Sequence, residues 1–131
     1  MNKTLVIPGS PVAQKRPRFS RRLGRAYDVQ RDVKDNITWH IASQWQQDEI
    51  EGAVELDIVF YMKLPASMSK KRKAALQGQP CLKHWDVDNG IKMAADAMMG
   101  VCFKDDSLVW KISARKVWEE LDPRTEITVS W

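Results

Sequence analysis

The chain of 131 residues suits a single domain, because it is long enough to bury one core but too short for two. Hydrophobic residues make up 44% and charged residues 29% of the chain, which excludes a disordered polymer and indicates a globular protein. No apolar run approaches the ~20 residues that cross a bilayer, and no signal peptide is recognisable, so we expect a cytoplasmic protein with no membrane partner.

The first predicted elements are a strand, a loop and a helix. A short strand covers residues 3–7, and the turn-forming run 8–11 ends it. Residues 12–26 are rich in arginine and lack periodicity, so we expect a long basic loop over 8–27. Asp28 is then expected to cap a helix that ends near Gln47, because apolar residues recur every four positions from Val29 to Trp45.

The second half of the chain is predicted to hold three more strands and a second long helix. Alternation predicts a strand over 53–63, and one or two helical turns are expected over 69–76. Residues 86–89 open a second helix, which ends near Met98. Residues 108–118 and 125–131 alternate again and are expected to pair as a hairpin. The predicted fold class is α+β: one domain, 1–131, with the order strand-helix-strand-helix-strand-strand and a small mixed sheet with helices on one face.

The net charge of +4 is unevenly distributed along the chain. Residues 15–34 contain eight basic and two acidic side chains, a local net charge of +6, and residues 70–73 are all basic. This separation favours an anionic partner, although two solvated basic loops would give the same pattern. The basic residues that would contact such a partner are Lys15, Arg16, Arg18, Arg21, Arg22, Arg25, Lys70, Lys71, Arg72 and Lys73.

Residues 86–106 contain the side chains best suited to metal binding and catalysis. Asp86 and Asp88 are two positions apart, so in an extended segment both carboxylates point the same way and reach one ion. The helix start favours anions, and we expect the next strand to return Asp106 to this pair. Three carboxylates without histidine form a set of hard oxygen ligands, which favours Mg²⁺ over Zn²⁺, with Mn²⁺ as an expected substitute.

Such a site suits phosphodiester hydrolysis. Lys92 is one turn after Asp88 on the same helix face and would neutralise charge on the transition state. Each residue also has an ordinary alternative, as a loop residue, a helix cap or a surface ion-pair partner. A zinc site from Cys81, His84 and Cys102 is disfavoured because no second ligand pair follows, and the cysteines are expected to be free thiols. No glycine-rich phosphate loop is present, so no nucleotide cofactor is expected.

Two segments together resemble a known family. One is Asp86-Val87-Asp88-Asn89-Gly90-Ile91-Lys92, followed by Asp96-Ala97-Met98-Met99-Gly100 and Lys104-Asp105-Asp106. The other is Gln14-Lys15-Arg16-Pro17-Arg18-Phe19 with Gly24-Arg25-Ala26-Tyr27. They resemble the RusA family of Holliday-junction resolvases of bacteria, phages and prophages. The chain departs from the family pattern at Trp85, where proline or a basic residue is common, at Gly90, where leucine or isoleucine is usual, and at Met98-Met99.

The resemblance implies a role for each matching residue. Asp86, Asp88 and Asp106 would be the catalytic metal-binding aspartates, and Lys92 the lysine that supports catalysis. It also implies a homodimer with two active sites, each of which cuts one strand of a four-way DNA junction. The basic residues would then contact the DNA phosphates. The roles of Asp96 and Asp105 stay open. The candidate dimer-interface residues are Met98, Met99, Val101 and Phe103, with Trp110 or Trp118 nearby.

Two other function classes fit the same residues. A branched-DNA-binding protein without turnover would use the basic residues, but it would have no need for the acidic cluster. A related Mg²⁺-dependent nuclease that acts on flaps or RNA would use both, and the sequence does not separate it from a junction resolvase.

Overall fold

The structure, a computed structural model, describes residues 1–15, 18–22, 24–27 and 30–131. The strands are β1 Asn2–Pro8, β2 Arg18–Ser20, β3 Arg25–Tyr27, β4 Val54–Lys63, β5 Val109–Glu119 and β6 Arg124–Ser130. The helices are α1 Arg31–Trp45, α2 Lys70–Leu76 and α3 Val87–Met98, and a single 3₁₀ turn covers Asp106–Leu108.

The main sheet has four strands in the order β1-β6-β4-β5. β4 pairs in parallel with β5 and antiparallel with β6, and β6 pairs antiparallel with β1, so the sheet is mixed. The predicted α+β class is therefore confirmed.

The core lies between one face of this sheet and the helices α1 and α3. The alternation predicted for β4 places its even-numbered residues against the core, with Val54, Leu56, Ile58, Phe60 and Met62 all buried. From the helices, the buried residues include Ile37, Ile41, Trp45, Met93, Ala94, Ala97 and Met98. Within the described residues, no helix is long and apolar enough to cross a membrane.

The predicted hairpin of the last two strands is wrong. β4 lies between β5 and β6, so these two strands do not pair with each other. The physical reason is burial: β4 is apolar on its core face and also buries Val59, so it takes a central position. β5 is at the edge, with Trp110 65% and Ile112 40% exposed. A register shift leaves Trp110 as an extra residue opposite β4 and interrupts the predicted alternation of β5.

The first half of the chain differs from expectation in two places. The predicted long loop contains a small hairpin, in which β2 and β3 pair antiparallel. Helix α1 begins at Arg31, with Gln30 in the capping position, and ends at Trp45 rather than Gln47. The expected cap Asp28 lies outside the described residues.

Three of the six predicted interface residues belong to the core of a single chain. Met98 and Phe103 are 0% and Trp118 is 6% exposed. The reason is that the segment after α3 folds back toward β4, where the Ile50 N–H donates to the Cys102 carbonyl at 2.8 Å. Met99 and Trp110 are the exposed members of the predicted set, and Val101 is half-buried.

Candidate active site

Asp86 and Asp88 lie together at the start of α3. Asp86 precedes the helix with an extended backbone, Asp88 is in the first turn, and both are exposed. Asp86 occupies the capping position, yet its carboxylate accepts no capping hydrogen bond. The turn is closed by the backbone alone, since the Asn89 N–H donates to the Asp86 carbonyl at 3.0 Å. The simple capping alternative is therefore disfavoured, and both carboxylates remain available beside the positive end of the helix dipole.

Lys92 is exposed one turn after Asp88. In an α-helix, residues four positions apart lie on the same face with their Cβ atoms about 5–6 Å apart. The helix therefore presents a cationic side chain next to the carboxylate pair, as the sequence predicts. Together the three residues form a small charged surface on the first two turns of α3.

Asp106 is at the opposite end of the sheet from this pair. The start of α3 lies near the last part of β5, because Lys116 Nζ donates to the Trp85 carbonyl at 2.5 Å. Asp106 precedes the first residue of β5, Val109, which pairs with Val54 at the other end of β4. The strand between Val109 and Lys116 spans about 23 Å at ~3.3 Å per residue.

Within one chain the structure does not bring the three aspartates together. Among the described residues, no group of three or more His, Cys, Asp or Glu side chains is arranged to hold a metal ion. The expectation that the strand after α3 would return Asp106 to its partners fails because α3 runs the length of the sheet, about 18 Å for 12 residues. The chain enters β5 at the far end.

Asp106 has acidic neighbours at its own end. A hydrogen bond with the Asp105 carboxyl raises the pKa of Asp106 above its ordinary value, with smaller contributions from partial desolvation and from repulsion by Asp105 and Asp96. The pKa of Asp105 is lowered, chiefly by the hydrogen bond from the Ser107 N–H. A cation bound between carboxylates that repel one another would relieve this repulsion. Asp96 itself pairs with Lys34 of α1 at 3.6 Å, which indicates a structural role.

Acidic residues cluster near Asp106, away from the two basic segments. Asp48, Glu49, Glu51 and Asp105 line an open cavity of about 570 Å³ at the Asp106 end, with Lys104 among them. The basic segments lie at the Asp86 end: the chain leaving α2 runs beside the last part of β5, where the Gly78 N–H donates to the Trp118 carbonyl at 2.9 Å. The cavity near Asp106 is therefore mainly acidic, whereas the basic residues of α2 lie toward the Asp86 end.

The start of the basic loop is fixed against α3. The Gln14 N–H donates to the Asn89 carbonyl at 3.0 Å. The buried amide of Gln30 accepts from the Lys15 N–H at 2.6 Å and donates to the Ala13 carbonyl at 2.8 Å. Lys15, the residue after the anchored Gln14, is exposed. No periodicity or motif in the sequence indicates this role of Gln30.

The other predicted basic residues are mostly at the surface where they are described. Arg21 and Arg22 are exposed in the turn between β2 and β3. Arg18 and Arg25 are on those two strands, and Arg16 lies outside the described residues. In α2 the Ser69 hydroxyl caps the helix by accepting from the Arg72 N–H at 3.3 Å. Lys70, Lys71 and Arg72 are exposed, and Lys73 is half-buried.

The two cysteines are poorly placed to act as nucleophiles or metal ligands. Cys81 and Cys102 are free and buried, and burial raises the pKa of the Cys102 thiol to about 12. A thiol that stays protonated is a poor nucleophile and a poor metal ligand.

Comparison with known proteins links these features to one family. A family model described as endodeoxyribonuclease RusA matches residues 8–130, nearly the whole chain. The chain is also 36% identical to a protein described as uncharacterized protein YqaN, from Bacillus subtilis (strain 168), over 94% of this chain and 92% of that protein. Both matches cover the basic loop, the start of α3 and the acidic segment before β5.

Proposed function

Because the chain belongs to the RusA family of endodeoxyribonucleases, we propose that it resolves four-way DNA junctions by Mg²⁺-dependent hydrolysis, as a homodimer in which each subunit cuts one strand. The observation that carries the proposal is the carboxylate pair of Asp86 and Asp88, uncapped and exposed beside the anchored start of the basic loop. A protein that only bound DNA would gain nothing from two carboxylates placed where they repel phosphate.

The donor set fits a hard divalent cation. Asp86 and Asp88 offer carboxylate oxygens and no softer ligand, which suits Mg²⁺, with Mn²⁺ as a substitute. The bound ion would supply an attacking water of lowered pKa and would stabilise the leaving oxygen. The two aspartates would hold the ion, and they lie at the helix end whose dipole attracts negative charge.

Lys92 acts on the phosphate that is cut. Its ammonium projects from the same helix face as Asp88, so it lies beside the scissile phosphate when that phosphate approaches the carboxylate pair. The phosphate gains negative charge in the transition state, and a fixed cation stabilises that state more than the ground state.

A second subunit completes the site. The third aspartate of the proposed set lies at the far end of its own chain, too distant to join Asp86 and Asp88 in cis. A two-fold axis that places two chains side by side in opposite directions brings Asp106 of the partner subunit to the Asp86 end, and the arrangement repeats at the second site. Charge favours this pairing, because the acidic cavity near Asp106 then meets the basic residues toward the Asp86 end. Two sites related by a two-fold axis match the two symmetric nicks that resolve a junction.

The basic residues hold the DNA arms. Phosphate contacts supply most of the affinity and set the register, whereas the branched shape selects the substrate. Lys15 follows Gln14, which is anchored to the start of α3, and the basic residues of α2 lie toward the same end, so the positive surface leads to the carboxylate pair.

One gel separates the alternatives. The purified protein is incubated with labelled four-way junction, duplex or flapped DNA, or flapped RNA, in Mg²⁺ or in EDTA. We expect paired cuts in the junction with Mg²⁺ and binding without cutting in EDTA. Junction binding without cuts in either buffer would indicate a binding protein, and faster cutting of a flap or of RNA would indicate a related nuclease.

A further inference from the structure

Gly90 and Trp85 form one packing unit at the start of α3. Gly90 is buried, and a Cβ atom at this position would lie 2.5 Å from Cζ3 of Trp85 and 2.8 Å from Cζ of Phe60. Two carbon atoms pack at about 3.5–4.0 Å, so no larger residue fits while the indole is in place. The Trp85 ring, with Phe60 beside it, therefore occupies the space that a side chain at position 90 would fill.

Trp85 is held from two further directions. Its ring meets Phe60 edge to face, with centroids 5.0 Å apart and an angle of 89°. Lys116 Nζ lies 5.4 Å from the ring centroid and donates to the carbonyls of Trp85 at 2.5 Å and Lys83 at 2.8 Å. Both the side chain and the backbone of Trp85 are therefore fixed to the sheet.

The two residues in contact, Trp85 and Gly90, stand on either side of the aspartate pair in the sequence. Trp85 directly precedes Asp86, and Gly90 follows Asp88 by two residues, so the contact between ring and glycine closes a short loop that contains both aspartates. Both carboxylates are exposed, and the Asp86 carboxylate makes no capping bond that would orient it. Their placement therefore depends on the backbone that Trp85 and Gly90 hold.

We propose that Trp85 is a positioning residue, whose indole, seated on Gly90 and Phe60 and held by Lys116, fixes the backbone that presents Asp86 and Asp88. The inference rests on the proposed function in one respect only, namely that the two carboxylates bind the ion used in cleavage. A displacement of about 1 Å in a reacting group can cost ~10²-fold in rate, so a loose backbone here lowers turnover without loss of DNA binding.

The test is a double-mutant cycle between positions 85 and 90. Trp85→Ala removes the ring, and Gly90→Leu collides with both Trp85 and Phe60. The double variant removes the closer of these two neighbours, so that the Phe60 ring can shift and leucine can fill the vacated space. Gly52→Leu, where a Cβ meets nothing within 4 Å, and Trp39→Ala, a change at an exposed tryptophan, are the matched controls. Trp85→Phe is a milder variant that retains a ring on Phe60 if the alanine variant unfolds.

Two readouts are measured on the full chain. The first is hydrogen exchange of the Asn89 amide, which donates to the Asp86 carbonyl at 3.0 Å, without DNA or metal. The second is kcat and KM for junction cutting, with the half-saturating Mg²⁺ concentration. We expect each single variant to exchange at least ~10-fold faster and to lose roughly 10²-fold in kcat, with KM within about twofold. The double variant should recover most of both, Trp85→Phe should be intermediate, and the controls should match the wild type.

Wild-type exchange rates in Trp85→Ala, or a double variant no better than the single ones, would overturn the proposal. A KM that rises as far as kcat falls would also overturn it, because Trp85 would then be a DNA contact. If the wild-type chain does not cut junctions at all, the proposed function fails, while the exchange data still decide whether Trp85 orders this backbone.

Discussion

The Gln14 N–H donates to the Asn89 carbonyl at 3.0 Å, which joins the start of the basic loop to the first turn of α3. Asn89 directly follows Asp88, so one hydrogen bond links the segment proposed to hold DNA phosphates with the segment proposed to hold the metal ion. The Gln30 side chain reinforces this contact, because it bonds to the backbone of the residues on either side of Gln14. On the proposed function, DNA bound along the loop would be held next to the carboxylate pair.

Asp88→Asn is expected to abolish nearly all cleavage while leaving the fold and junction binding intact. The amide has almost the same shape as the carboxylate but carries no charge, so it is a weaker ligand for Mg²⁺. Rates with Mg²⁺, junction affinity in EDTA and circular dichroism check this expectation. Asp35→Asn, a change at an exposed position of α1, is the control and should cut normally. Near-normal cutting by the Asp88 variant would remove the proposed site.

Lys92→Ala is expected to slow cleavage by roughly 10²–10³-fold, the usual effect of losing one group that stabilises charge in the transition state. Junction affinity should change much less, because the DNA retains its other phosphate contacts. Single-turnover rates and equilibrium binding, measured beside the exposed control Lys63→Ala, separate the two effects. Equal losses in rate and affinity would instead identify Lys92 as a phosphate-docking residue.

Alanine at Lys15, Arg21 and Arg22 together is expected to weaken junction binding and flatten its salt dependence. Each lost phosphate contact lowers the slope of log K against log salt concentration by about 0.9. The active site is intact in this variant, so cleavage should recover at high protein concentration. Affinity is measured over a salt series, and an unchanged slope would mean that the loop is a solvated surface.

The sequence predicted the elements whose periodicity is strong. β4 and α3 were predicted almost to their ends, because burial on one face imposes a regular pattern on ten or more residues. The neighbours of each strand were not predictable in the same way, since alternation shows which face is buried but not which strand pairs with which. The hairpin prediction failed for this reason.

The site was predictable in part. Asp86, Asp88 and Lys92 are close in sequence, so helix geometry alone brings them together. The position of Asp106 depends on where α3 ends relative to the sheet, which local sequence does not specify. Trp85 and Gly90 stood out in the sequence as two separate departures from the family pattern, and the structure shows that they are one feature, because the ring of the first excludes a side chain at the second.

The dimer makes a prediction of its own. Light scattering at micromolar concentration should report about twice the chain mass of 15.1 kDa. Mixed dimers of wild-type and Asp88→Asn subunits should nick one strand of a junction without completing resolution, because only one of the two sites retains its full ligand set. A monomer that makes paired cuts would contradict this prediction.

The most direct test of the central claim, a site shared between two subunits, is complementation between two inactive variants. Asp88→Asn and Asp106→Asn chains are purified separately, then mixed under conditions that exchange subunits and assayed on a labelled junction. With shared sites, a mixed dimer has one site that carries both substitutions and one that carries neither, so the mixture should nick junctions although each variant alone is inactive. If each site is formed by one chain, every site in the mixture has a substitution. No nicking by a mixture that demonstrably contains mixed dimers would contradict the account.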